Sequence, residues 1–227
     1  YRHSIIALSE IAFLLKRLFF CDKTSFLILY GRRPLLIILY SEFPSKKRVS
    51  QSKELDKNTV GLFYYSGHVV QRGGNYYLIP IRAMSQVSAP EHLRYKTVDA
   101  GYILGVMKQA QNRLNIVILD ACRSYPFKSF SRGMVKGLRR MPGAEGTLIA
   151  YSTSPGNVAL DGSGRNSPYT KQLIKMMKEP DLPVELMFKR IRKGVKSETG
   201  GRQSPWYEAS IDGDFYLQAI AVNKVFR

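Results

Sequence analysis

An α/β sandwich built on a largely parallel sheet is the fold class this sequence predicts. Three observations lead to it. Between residues 59 and 220, short apolar runs rich in β-branched and aromatic residues alternate with stretches of helical periodicity. Two of the runs, "TVGLFYYSGH" (59–68) and "NIVILD" (115–120), read as buried strands and stop at reactive side chains. The chain's 227 residues, 44% of them hydrophobic, fill one globular domain with a core and do not require two.

Taken in order, "IIALSEIAFLLKRLFF" (5–20) reads as a buried helix, its apolar run broken by Glu10, Lys16 and Arg17. "FLILYGRRPLLIILY" (26–40) reads as two short strands split by Arg32, Arg33 and Pro34. Neither segment reaches the ~18 uninterrupted apolar residues of a membrane helix or resembles a secretory signal. The strand at 59–68 is expected to run into a loop. "VVQRGGNYYLIP" (69–80) is then a hairpin, because Gly73-Gly74 separates two β-like runs. Residues 97–112 place Val98, Tyr102, Leu104 and Met107 near helical spacing and predict a helix feeding the strand at 115–120. "GTLIAYST" (146–153) is a further buried strand. "SPYTKQLIKMMKE" (167–179) predicts a helix capped by Ser167 with Pro168 at its first position. Pro183 opens another helix over 183–198, with an apolar stripe of Leu186, Ile191 and Val195. "GDFYLQAI" (213–220) predicts the last strand.

The net charge is +18, from 35 Lys and Arg against 17 Asp and Glu. It divides as +6 over 1–58 and +12 over the remainder, in rough proportion to length. A charged surface follows; a dedicated nucleic-acid site does not, since no finger, repeat or RNA-binding signature accompanies it. Cys21 and Cys122 are too few for a disulfide framework, and with three histidines no zinc spacing occurs. The cysteine usage is compatible with a reducing, cytoplasmic setting.

In open α/β sheets the ligand crevice lies beyond the carboxyl ends of the strands. His68 and Cys122 stand at two such ends. Adjacent parallel strands would put them ~5–10 Å apart, within reach for a thiol–imidazole pair. A nearby imidazole can remove the thiol proton during nucleophilic attack.

"YYSGH", "GGNYYLIP", "NIVILDACRSYPF", "GTLIAYSTSPGNVALDGSGRNSPYT", "GRQSPW" and "GDFYL" occur in an order that resembles the caspase-like domains of the caspase/metacaspase clan. The likeness runs from about Thr59 to about Leu217 and implies a caspase-like three-layer sandwich, a mixed, mostly parallel sheet of about six strands flanked by helices. It implies a cysteine endopeptidase with Cys122 as nucleophile and His68 as general base and acid. The backbone N–H groups of Cys122 and Val69 would form the oxyanion hole. Asp120 resembles the acid of the specificity pocket in metacaspases, so the substrate would be a polypeptide with Arg or Lys before the cut. Asp161 and Ser152 are further candidates for that pocket, Asp161 also fitting an Asp-Gly turn. The basic stretch 123–146 holds Arg132, Lys136, Arg139 and Arg140 as candidate self-cleavage points. No organic cofactor is implied. Calcium, needed by some metacaspases, has no assignable loop here.

The sequence departs from the family at two places. Val69 stands where the family has glycine after its histidine. Residues 1–58 lack its opening strand–helix–strand pattern and read as a divergent, truncated or frame-disrupted part of the domain, with the catalytic domain at 59–220 and a tail at 221–227. The alternative expectation is therefore a weak or inactive caspase-like module acting in protein interaction or regulation.

Overall fold

The computed structural model describes residues 27–28, 35–39, 60–111, 113–122, 145–154, 157, 159–164 and 166–217. Eight strands form one mixed sheet: β1 (Leu27–Ile28), β2 (Leu35–Leu39), β3 (Val60–Arg72), β4 (Asn75–Ile79), β5 (Val98–Asp99), β6 (Leu114–Cys122), β7 (Thr147–Tyr151) and β8 (Trp206–Ser210). Six of them follow the order β1-β2-β3-β6-β7-β8, while β4 joins β3 and carries β5. The central pairings β2–β3, β3–β6 and β6–β7 are parallel. The outer pairings β1–β2 and β7–β8, and the β3–β4 hairpin, are antiparallel. The two short strands expected within 26–40 are thus present; the helix expected at 5–20 and the tail at 221–227 lie outside the described residues.

Alternation along the strands sorts the core into two layers. Leu62 and Tyr64 of β3, Ile116 and Ile118 of β6, and Leu148 and Ala150 of β7 face one side. There they meet two helices, α3 (Pro168–Met176) and α4 (Val184–Glu198). Phe63, Tyr65, Val117, Leu119, Ile149 and Tyr151 face the other, where Ala100, Ile103 and Met107 of α2 (Ala100–Gln109) cover them. A smaller cluster of Val70, Tyr77, Ile79 and Leu93 seats α1 (Leu93–Lys96) beside the hairpin. Helices on both faces explain why the central strands are apolar throughout.

Local chemistry sets the element ends. Gly73 and Gly74 turn the β3–β4 hairpin at φ 59° and 85°, a pair of left-handed residues suited to the twist of a tight hairpin. Ser167 caps α3 by accepting the Thr170 N–H at 3.0 Å, with Pro168 in the first turn. Asp99 caps α2 through the Gly101 N–H at 2.9 Å.

Four expectations need correction. The strand ending at His68 instead continues to Arg72, because β4 takes over as partner where β6 ends. The helix at 97–112 starts at Ala100; its buried stripe is Ala100, Ile103 and Met107, and Tyr102 is exposed. On α4, Met187 and Phe188 fill the stripe with Val184, Ile191 and Val195, while Leu186 is 41% exposed. Among the described residues the last strand is β8, at 206–210, and residues 218–220 of the expected strand lie outside them. The apolar residues after β8, Phe215 and Leu217, pack on the α3–α4 layer instead, with a single β-bridge from Tyr216 to Pro183. These helix assignments have a direct test. Ile191→Ala, at a side chain with 0% exposure, is expected to cost about 3–4 kcal/mol in urea unfolding, and Leu186→Ala less than about 1 kcal/mol.

Candidate active site

The ladder between β3 and β6 is continuous from Val60↔Leu114 to its last pair, His68↔Cys122. One strand spacing, ~4.8 Å, therefore separates the two backbones at this point. Hydrogen bonding from the neighbouring strands fixes that register, and slipping it by one residue would turn every core side chain to the wrong face. His68 is half-buried, and it pairs at once with Cys122 and with Ile79 of β4. It sits where β3 exchanges a parallel partner for an antiparallel one.

On the same face and one step back along the ladder, Ser66 pairs with Asp120. Asp120 is only 5% exposed. Its Oδ2 accepts hydrogen bonds from Ser167 Oγ and, at 2.6 Å, from Thr170 Oγ1. Thr170 Oγ1 also lies 2.6 Å from the Tyr64 hydroxyl. Ser167 thus serves two carboxylate-and-helix tasks: it caps α3 and holds Asp120 at the positive end of that helix. Burial pushes the Asp120 carboxyl above the ordinary range. The Ser167, Thr170 and Ser152 hydroxyls draw it back down, and the charge of Asp161 pushes it up again. Burial, and then the charge of Asp120, likewise hold the Tyr64 and Tyr169 phenols protonated.

The other sequence-predicted residues fall around this centre. Ser152 follows β7, buried, and extends the sheet through its N–H to Leu119 O at 2.9 Å. Asp161 is exposed at the rim, close enough for its charge to act on Asp120. Val69 is buried, and its side chain joins the α2 layer, the face opposite His68. Arg132, Lys136, Arg139 and Arg140 lie outside the described residues, as does the Cys122 side chain.

Sequence reasoning missed the residues that support the site. Ser167 and Thr170 were legible only as the start of a helix. Gln203, with 0% exposure, donates from Nε2 to Ser152 O at 2.8 Å and accepts the Leu160 N–H at 3.0 Å through Oε1. It ties the end of β7 to the segment that carries Asp161. A glutamine inside "GRQSPW" was the available signal, since a buried amide must satisfy both of its ends.

Fold and register together define a caspase-like α/β domain, with the histidine paired across two adjacent parallel strands to the cysteine that ends β6, and an acid two residues before that cysteine. The chain belongs to the caspase-domain family, peptidase C14, whose family model matches residues 44–216. It is also similar to mucosa-associated lymphoid tissue lymphoma translocation protein 1 from Homo sapiens and to the homologous protein from Mus musculus. Each is 33% identical over 69 residues, covering 30% of this chain and 8% of the relative. The chain therefore spans less than a tenth of the length of either relative. Among the described residues, no helix is long and apolar enough to cross a membrane.

Proposed function

We propose that this chain is a cysteine endopeptidase that cuts polypeptides after Arg or Lys. The observation that carries the reading is the in-register pairing of His68 with Cys122 on neighbouring parallel strands. In the first step His68 takes the Cys122 thiol proton as sulfur attacks the scissile carbonyl carbon. It then gives that proton to the departing amine, leaving an acyl-thioester. Water, deprotonated by His68, attacks the thioester carbonyl, and the sulfur leaves and recovers its proton. The backbone N–H groups of Cys122 and Val69 receive the oxyanion in each step. The burial of Val69 in the α2 layer supports this backbone role, because its methyls leave the His68 face of the strand clear.

Asp120 selects a cationic side chain in this reading, with Asp161 adding negative charge at the rim. A desolvated carboxylate attracts a guanidinium or ammonium more strongly than an exposed one does. Arg132, Lys136, Arg139 and Arg140 then become substrates of the enzyme itself.

The test compares fluorogenic peptides ending in Arg, Lys or Asp, and labelling by an arginyl electrophile, in the native chain and in Cys122→Ala. Hydrolysis of the basic peptides and label on Cys122, both lost in the variant, are the expected results. Neither turnover nor labelling would instead make the chain a caspase-like module in protein interaction or regulation.

A further inference from the structure

The point where β3 changes partners has its own fastening. The Tyr65 side chain lies on the α2 face, 5% exposed, and its hydroxyl is 2.8 Å from the His68 carbonyl oxygen and 2.9 Å from that of Ile79. His68 and Ile79 are the first pair of the β3–β4 ladder. One phenolic proton, shared between two carbonyls, thus joins both strands at the residue where the β6 ladder ends. Gly67 makes this possible. A Cβ on it would lie 2.6 Å from the Tyr65 hydroxyl and 2.9 Å from Cζ, so any side chain there would displace the ring. Burial pushes the Tyr65 phenol well above its ordinary range, which keeps the donor proton in place throughout the neutral range.

We propose that Tyr65 is a positioning residue for His68: its hydroxyl, admitted by the missing side chain of Gly67, locks the His68 backbone at the branch between β6 and β4. The catalytic consequence rests on the peptidase reading; the structural lock does not. Tyr65 packs its ring in the α2 layer, on the face of β3 opposite the His68 side chain. It acts by holding the carbonyl of the residue whose imidazole must meet the cysteine. A displacement of about 1 Å at such a group costs on the order of a hundredfold in rate.

Tyr65→Phe keeps the ring and removes only the donor. In protein labelled with ¹⁵N-histidine, the chain's three histidines, His3, His68 and His92, give three backbone amide signals, and His68→Asn identifies one of them. Tyr65→Phe is expected to move or split the His68 signal and to speed its hydrogen exchange at least tenfold. The His92 signal should stay in place. Gly67→Ala should produce the same change, a second route to the lock in case either variant folds poorly. With arginyl peptides, kcat should fall at least tenfold with KM nearly unchanged. A His68 signal that superimposes on the native one in folded Tyr65→Phe overturns the proposal. If the native chain proves inactive, the amide signals alone decide the positioning role, and the inactivity counts only against the peptidase reading.

Discussion

His68→Asn is expected to lower kcat/KM for arginyl peptides by about 10⁴-fold or more, and Cys122→Ala by at least as much. The double variant should be no worse than the poorer single one. A nucleophile and its base act as one unit, so once either is gone the other has nothing left to do. Additive losses would mean that the two residues act separately, and the shared register at the end of the β3–β6 ladder would then have no catalytic meaning. His68 is half-buried and its main chain makes the ladder contacts, so the urea midpoint of His68→Asn should stay within about 1 kcal/mol of the native value. A large loss of stability in that variant would make its rate uninterpretable, and the Cys122→Ala arm then carries the comparison.

Asp120→Asn is expected to separate stability from specificity. Burial raises the Asp120 carboxyl above its ordinary value of 3.8, and the surrounding hydroxyls only partly offset that. A carboxyl raised on folding binds more protons in the native state than in the unfolded one. Its contribution to stability is therefore full below the unfolded value and is lost as pH rises through the folded one. Once pH exceeds the unfolded value, keeping Asp120 buried therefore works against the fold. Asparagine removes that cost, so the variant should be no less stable than the native chain at pH 7 and should lose the fall in stability above about pH 4. Hydrolysis of arginyl peptides should nevertheless drop about 10²–10³-fold, the loss expected when one partner of a desolvated charge pair disappears. Urea titrations at several pH values, beside kcat/KM on Arg and neutral peptides, decide the matter. An equal loss on both peptides would show that Asp120 shapes the sheet end and does not choose the substrate.

The candidate site was unevenly legible. His68 and Cys122 stood out because each ends an apolar run, and the caspase-like motifs gave them roles. In the sequence Asp120, Ser152 and Asp161 are separate candidates, and the fold brings the Ser152 hydroxyl and the Asp161 charge to bear on Asp120. Leu186 and Tyr102 were misplaced because spacing alone leaves a neighbour one position away equally consistent with a stripe. Only the packed neighbour distinguishes Met187 from Leu186, or Ile103 from Tyr102. β8 leaves little trace in the sequence because Trp206–Ser210 is a half-exposed strand carrying Glu208, with little apolar periodicity.

Short-range physics was written in the chain itself. The buried central strands, the Gly73-Gly74 hairpin and the Ser167 cap each depend on residues within a few positions of one another, where sterics, turn geometry and capping act. What holds the site together is long-range. Asp120 receives hydroxyls from 47 and 50 residues downstream, and Gln203 reaches back 51 and 43 residues to Ser152 and Leu160. The strand-partner exchange at His68 likewise needs β6, which arrives after β4 and α2 have intervened. No local propensity encodes such meetings. They follow from the order of strands in the sheet and from the requirement that every buried polar group find a partner once the layers close.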